Sequence, residues 1–399
     1  MEEVLGCISS GIWSPFKPKI MKQIIGLLND AGITVNGDRP WDIQIFNNRV
    51  YNRIVRQGSL GLGESYMDGW WDVPQLDEFF YRILRNKLDE KFMVNPQNII
   101  LYLKASLLNL QTRKKASSSI THHYDIGHDL YSVMLDKRMV YTCAYWANAN
   151  NLDEAQEAKL DLVCQKLYLQ PGERVLDIGC GWGSFARFAA EKYGVSVTGI
   201  TISKEQARYA RENCAGLPVE IRLQDYRDLG EKYDKIVSLG MMEHVGYKNY
   251  KTYMETIARS LRDDGLCLIQ VIGRNDSARK ADAWISKYIF PNGMVPSIRQ
   301  IGKSLENTMV MEDWHNFSAY YDHTVLAWFE NFDSHWNDLK NNYSDRFYRM
   351  WKYYLLSCAG SFRARANQLW QIVLTKDGLV GGYKPILYPE KMDLKKTVG

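Results

Sequence analysis

Residues 175–184, VLDIGCGWGS, run an apolar strand into three alternating glycines. Gly179, Gly181 and Gly183 let the backbone approach a ligand with no side chain in the way. Where strands alternate with helices, such a turn stands beyond the carboxyl end of the strand, the usual place for a nucleotide. The spacing departs from the dinucleotide turn, whose second and third glycines are separated by two residues. A dinucleotide site also wants an acid closing the second strand to hold ribose hydroxyls, and here that strand closes GITIS, with Thr201 and Ser203. The hydride-transfer reading therefore loses its second support. The other ligand that fits the turn is S-adenosylmethionine, with Asp177 at the strand end facing its charged amino-acid portion. The plain alternative is a glycine turn that serves the fold alone.

His122, His123, Asp125 and His128 look superficially like metal ligands, but no second ligand set accompanies them. The stretch reads as a loop over a pocket, and no metal is expected.

The elements that must position the turn are regular from about residue 151. NLDEAQEAKLDLVCQKL reads as a helix, RVLDIG as a buried strand, SFARFAAEKYG as a helix stopped by glycine and VSVTGIT as the next strand. SKEQARYARENC, VEIRLQD, YDKIVSLG, YKNYKTYMETIARSL and GLCLIQVIG continue the alternation. That order predicts a parallel sheet covered on both faces. Upstream, IMKQIIGLLNDAG and LDEFFYRILRNKL read as amphipathic helices, and ITVNG and DIQIFN as short strands. GSLGLGESYMDGWW reads as a turn-rich stretch, and QTRKKASSSITHHYD as a linker or mobile loop. No internal repeat and no low-complexity segment is present.

At 399 residues the chain exceeds what one core usually organises, so two domains are expected. The net charge of +4 is too small for a nucleic-acid partner, which calls for a concentrated basic face. Local clusters at Lys17, Lys19 and Lys22, at Arg113, Lys114 and Lys115, and at Lys391, Lys395 and Lys396 allow attraction to an anionic membrane. Aromatic residues make up 13%, which fits a large apolar cavity or lipid-facing surface as well as an ordinary packed core. Seven scattered cysteines with no CxxC pair predict reduced thiols and a cytosolic compartment. MEEVLGCISSGIW carries no secretory pattern, and the apolar run NIILYLKASLLNL is short and broken by Lys104, so any membrane contact is peripheral.

VLDIGCGWGS, GITISKEQ, LQDYRDL, GMMEHVG and KYIFPNGMVPS together resemble the cyclopropane-fatty-acid (cyclopropane-fatty-acyl-phospholipid) synthases. GSLGLGESYMDGWW, HYDIGHDLY, YTCAYW, MEDWHNFSAYYD and YYLLSCAGSFRAR extend the match over nearly the whole chain. The resemblance implies an α/β fold: a Rossmann-like class I S-adenosylmethionine-dependent methyltransferase domain with a smaller N-terminal α+β or helical domain. The expected division is a membrane-docking unit over 1–95, a linker over 96–120 and a catalytic domain over 121–399. The implied reaction is methyl transfer from S-adenosylmethionine to the cis double bond of a phospholipid acyl chain, proton loss to a bound bicarbonate, and ring closure. An alkene is a poor nucleophile, so the site must align it with the sulfonium methyl and exclude water.

Carried across motif by motif, the bicarbonate cage comprises Cys143, Glu243, Gln270, Tyr321 and the backbone of Ile272. Cys143 and Tyr321 can donate to an anion, whereas ionised Glu243 cannot and must engage the anion's own O–H or share its proton. Each also has a plain reading: Cys143 as a small buried hydrophobe, Tyr321 as a core aromatic, Glu243 as a solvated acid at a helix start. Gln270, in LIQVIG, departs from the family's usual histidine; it still donates a hydrogen bond but cannot titrate near neutrality. Cys358 is traditionally marked as the family's active-site cysteine, although methyl transfer to an alkene needs no covalent nucleophile.

For the donor, the resemblance implies Tyr141 and Thr142 over the methionine part, and Asp177, Gly179, Gly181 and Gly183 at the turn. Thr201, Ser203 and Gln206 face ribose and adenine, and Gln224, Asp225 and Tyr226 the adenine edge. Thr201, Ser203 and Gln206 read equally well as a helix start with Ser203 as its cap. Trp284, Tyr288, Ile289, Phe290 and Met294 suggest an apolar acyl channel or, as plainly, a buried helix. Implied partners are the inner face of a phospholipid membrane, unsaturated acyl chains and a second copy of the chain as a homodimer. The alternatives are a lipid methyltransferase leaving a methyl branch or methylene, and a non-catalytic lipid- or nucleotide-binding protein.

Overall fold

The computed structural model describes residues 18–88, 127–277 and 282–386. The expected linker, His122, His123, Asp125, NIILYLKASLLNL and the basic cluster at 113–115 lie outside them. The apolar runs downstream of residue 174 form β3 (Arg174–Ile178), β4 (Ser196–Thr201), β5 (Val219–Leu223), β6 (Tyr233–Leu239) and β7 (Leu261–Gly273), all paired in parallel. Alternate residues of each strand feed two cores. Val175, Val197 and Val237 meet the helices Leu152–Lys166 and Ser184–Tyr193, while Leu176, Ile200 and Ile236 meet Tyr250–Ser260 and Ile298–Leu305. The α/β expectation holds.

The sheet is not wholly parallel. Beyond β7 it adds β8 (Val310–Asn316) and β9 (Gln368–Thr375), giving the order β5-β4-β3-β6-β7-β9-β8 with both added strands antiparallel to their neighbours. The sequence hid β8 because VMEDWHN is largely polar and its alternation is broken by a register shift between Met311 and Asp313. Because β4 and β6 flank β3, the strand order reverses at β3, beside the glycine turn.

Two upstream readings need correction. ITVNG forms no strand; it is a turn in which Asp42 accepts the backbone N–H of Thr34 and the guanidinium of Arg39. The short pair is instead β1 (Gln44–Ile45) with β2 (Trp71–Asp72). GSLGLGESYM is not a turn but the helix Ser59–Met67. Its glycines serve packing: a Cβ on Gly61 would lie 2.3 Å from the carbonyl oxygen of Arg53, and one on Gly63 2.3 Å from Trp284 Cδ1. Helix propensity is sacrificed for close approach.

The N-terminal residues share one continuous apolar cluster with the helices Ala319–Ser334 and Asp345–Arg363. Arg349 donates to the carbonyls of Tyr66 and Trp71 and to Asp72, and Glu64 accepts from Arg53, Lys287 and Tyr288. Among the described residues, no helix is long and apolar enough to cross a membrane.

Candidate active site

The glycine turn opens a cleft of roughly 1200 Å³, mouth included, at the carboxyl ends of β3, β4 and β6. Gly179, Gly181 and Gly183 all adopt left-handed backbone (φ 81°, 54° and 83°), which a β-carbon opposes. Tyr141, Thr142, Asp177, Gly179, Gly181, Thr201, Gln206, Gln224, Asp225 and Tyr226 line this cleft. Gly183 and Ser203 do not. A Cβ on Gly183 would meet Ala210 Cβ and Cys214 Sγ at 3.1 Å, so its bareness lets two helices pack. Ser203 caps the helix Lys204–Asn213, accepting from the N–H of Gln206.

Asp177 is buried, with Oδ2 lacking a partner among the described residues. Burial pushes its carboxyl up to about 7, against the pull of Lys159. Thr201 donates to Gln206 Oε1, while Asp225 is held in an ion pair by Arg227. Sequence reasoning missed Lys159, a fully buried cation that also lines the cleft. A signal was present: Lys159 stands four residues from both Ala155 and Val163, on the buried stripe of its helix.

The segment Tyr141–Trp146 is pinned from two sides. Thr324, in the helix Ala319–Ser334, accepts from Ala144 N and Trp146 Nε1; Gln156 donates to the carbonyl of Thr142. Cys143 thereby sits beside Thr324 (3.9 Å), one turn from Tyr321 on the same helix. Its buried thiol donates to the carbonyl of Ala144 and is pushed well above the usual range by burial. Tyr321 stacks on Phe362 with ring centroids 4.3 Å apart.

On the other side, Glu243 stands in the first turn of the short helix Met242–Val245 after β6, and its Oε1 accepts the N–H of Ile272 at 2.7 Å. The Ile272 backbone, expected to face an anion, is thus engaged by the carboxylate. Burial pushes Glu243 up to about 7, and its Oε2 has no partner among the described residues. Gln270, two positions before Ile272 on β7, accepts from Gln371 Nε2 at 3.0 Å through Oε1, and its Nε2 is buried and unpartnered. Gln371 was not foreseen because β9 was not. The two sides meet where a Cβ on Gly240 would come within 2.9 Å of Thr142 Cγ2.

Cys358 stands one turn after Tyr354, whose hydroxyl shares a 2.9 Å hydrogen bond with that of Tyr141. Burial, then the nearby Asp282, push the Cys358 thiol up to about 12. Of the residues read as an acyl channel, Trp284 and Ile289 are fully buried. Trp284 packs on Tyr353, and its Nε1 meets Met67 Sδ. Tyr288 donates to Glu64, and Met294 is held through its N–H by the carbonyl of Glu243. Phe290 stands between His244 (5.6 Å) and Tyr354 (6.0 Å). His128 packs against Tyr209 and Trp182.

A family model described as mycolic acid cyclopropane synthetase matches residues 111–372. The cyclopropane-fatty-acyl-phospholipid synthase of Escherichia coli strain K12 is 52% identical over 350 residues, covering 88% of this chain and 92% of that one. The tuberculostearic acid methyltransferase UfaA1 of Mycobacterium tuberculosis is 32% identical, covering 82% of this chain and 81% of its own. Among solved structures, mycolic acid cyclopropane synthase CmaA1 complexed with S-adenosylhomocysteine and CTAB superposes with a TM-score of 0.61 at 29% identity, covering 65% of this chain and 98% of its own. A sheet reversing at a glycine turn, a buried acid tied across two strand ends and these likenesses agree: the chain belongs to the mycolic acid cyclopropane synthetase family.

Proposed function

We propose that this protein transfers a methyl group from S-adenosylmethionine to the cis double bond of an unsaturated phospholipid acyl chain and closes a cyclopropane ring. The alkene's π electrons form the new carbon–carbon bond as the sulfur–methyl bond breaks, releasing S-adenosylhomocysteine. A carbocation remains; a proton leaves the added methyl and the electrons of that C–H bond close the ring. The residues present fit this demand for charge and dryness. Tyr141 lines the cleft, with the Tyr354 hydroxyl and the Trp328 ring against it, and aromatic faces favour a nearby cation.

The observation that carries the reading is the pair of buried atoms Glu243 Oε2 and Gln270 Nε2, both without a partner among the described residues. One accepts and one donates, the complement of an anion bearing an O–H. Bicarbonate fits this set and, when bound, supplies a base of moderate strength. Glu243 orients it through the O–H, Gln270 through an oxygen, and Gln371 holds the Gln270 amide in the orientation required.

Exposed Phe46 and Val55, flanked by exposed Arg49 and Arg56, support peripheral contact with an anionic bilayer. The deciding experiment incubates the protein with S-adenosylmethionine and monounsaturated phospholipid vesicles, then analyses the acyl chains by mass and NMR. Ring methylene protons are expected; unchanged chains and no S-adenosylhomocysteine refute the proposal. Gln270 in place of the family histidine favours a second reading, a methyl-branched or methylene product, which the same NMR spectrum separates.

A further inference from the structure

We infer that Lys159 receives the carboxylate of the methyl donor's amino-acid end, while Asp177 receives its ammonium. The inference rests on the donor reading above and adds a residue to it.

Lys159 lies in the middle of the helix Leu152–Lys166, fully buried, and lines the same cleft as Asp177. Its Nζ donates to Thr142 Oγ1 at 2.7 Å, which uses one of three donors. It forms no ion pair among the described residues. A buried ammonium with a single hydroxyl partner is an expensive arrangement unless an anion completes it. Asp177 shows the mirror image: a buried carboxyl with Oδ2 unpartnered among the described residues. Two opposite, incompletely satisfied charges on one cleft wall make a receptor for a zwitterion.

The surroundings keep the lysine of that receptor charged and in place. Asp136 is buried nearby and accepts from the N–H groups of Val140 (2.8 Å) and Arg138 (3.0 Å). Burial brings Lys159 down to about 8, with Asp136, then Cys143 and Asp177 opposing the fall, so it remains largely protonated at neutral pH. Thr142 is fixed through its carbonyl by Gln156 and by close approach to Gly240, and it aims the ammonium. A purely structural role, anchoring the Tyr141–Trp146 segment through Thr142, makes a different prediction for a donor with no carboxylate.

The test titrates the full-length protein with S-adenosylmethionine and with its decarboxylated analogue by calorimetry, in wild type, Lys159→Met and Lys159→Arg. Wild type should bind the analogue about 10- to 100-fold more weakly, the worth of a hydrogen-bonded charge. Lys159→Met should lose affinity for S-adenosylmethionine by a like factor, leave the analogue nearly unchanged, and raise KM far more than it lowers kcat. Lys159→Arg should recover part of the preference. Equal binding of both compounds by wild type overturns the inference and needs no variant to fold. Equal weakening of both in Lys159→Met assigns the lysine to structure alone. Binding of neither by wild type refutes the donor reading itself.

Discussion

Glu243 Oε1 accepts the main-chain N–H of Ile272 at 2.7 Å, tying the helix start after β6 to the end of β7. One carboxylate oxygen is thereby spent on holding two strand ends together, and the other is left buried without a partner among the described residues. Glu243→Gln keeps an oxygen for Ile272 but replaces the acceptor with a donor. Turnover on vesicles should fall roughly 10²- to 10⁴-fold, the usual worth of a positioned proton-handling group. Affinity for S-adenosylhomocysteine by calorimetry should stay close to wild type. A parallel loss of donor affinity would place Glu243 in the donor site instead.

Gln270 cannot change charge near neutrality, so Gln270→His adds a second titratable group beside Glu243, which already sits at about 7. Wild-type activity should follow the Glu243 carboxyl near pH 7, and the variant should show a further bend about the ordinary range of a histidine, near pH 6–7. Gln371→Leu should cost about 2- to 10-fold in turnover by releasing the Gln270 amide from its 3.0 Å partner. In carbonate-depleted buffer, wild-type activity should recover on adding bicarbonate; indifference to it would remove the anion from the reaction.

Asp177 yields a stability test with a definite sign. Its folded carboxyl sits up at about 7, chiefly through burial, while an aspartate in an unfolded chain ionises near about 4. Between those values the folded chain holds a proton that the unfolded chain has lost, so this group's contribution falls as pH rises through the window. Donor-free Asp177→Asn should therefore gain melting temperature relative to wild type between about pH 4 and pH 7. Added S-adenosylmethionine should reverse the order, protecting wild type more at high pH than at low. A constant difference across the window would contradict the buried-acid picture.

Cys358 is expected to be dispensable for chemistry. With its thiol at about 12, through burial and Asp282, almost none is thiolate at neutral pH, the form a nucleophile requires. Cys358→Ser should retain turnover within a few-fold by S-adenosylhomocysteine release. Loss of all activity in a variant that still binds donor would restore a direct role.

Gly63→Ala tests the seam between the N-terminal helices and the catalytic fold. The added methyl would fall 2.3 Å from Trp284 Cδ1, a ring only 1% exposed with little room to retreat. Overpacking of this kind costs about 1–3 kcal/mol, read as a lower midpoint in thermal or urea unfolding. An unchanged midpoint would mean that Trp284 moves freely.

Much of this was legible along the chain. β3 to β7 and their helices announce themselves because each is a contiguous run whose burial is set by its own alternation, as in RVLDIG and SFARFAAEKYG. β9 escaped although every residue in it is buried, because QLWQIVLT gives no sign of joining a distant parallel sheet in antiparallel register. The helix Ser59–Met67 escaped because its two glycines, Gly61 and Gly63, favour turns locally but are overruled by what packs on them, Arg53 and Trp284. Gly183 and Ser203 carried a ligand-like pattern that packing and capping account for.

By itself, then, the order of residues determined the sheet's parallel half, the glycine turn and the family likeness, because these are properties of short contiguous segments. Only the tertiary structure decided which polar groups are left wanting a partner. Lys159, Asp177, Glu243 and Gln270 come from different elements, and the worth of a charge or amide depends on what surrounds it in space. Burial removes water from each, and the fold supplies just part of what water gave.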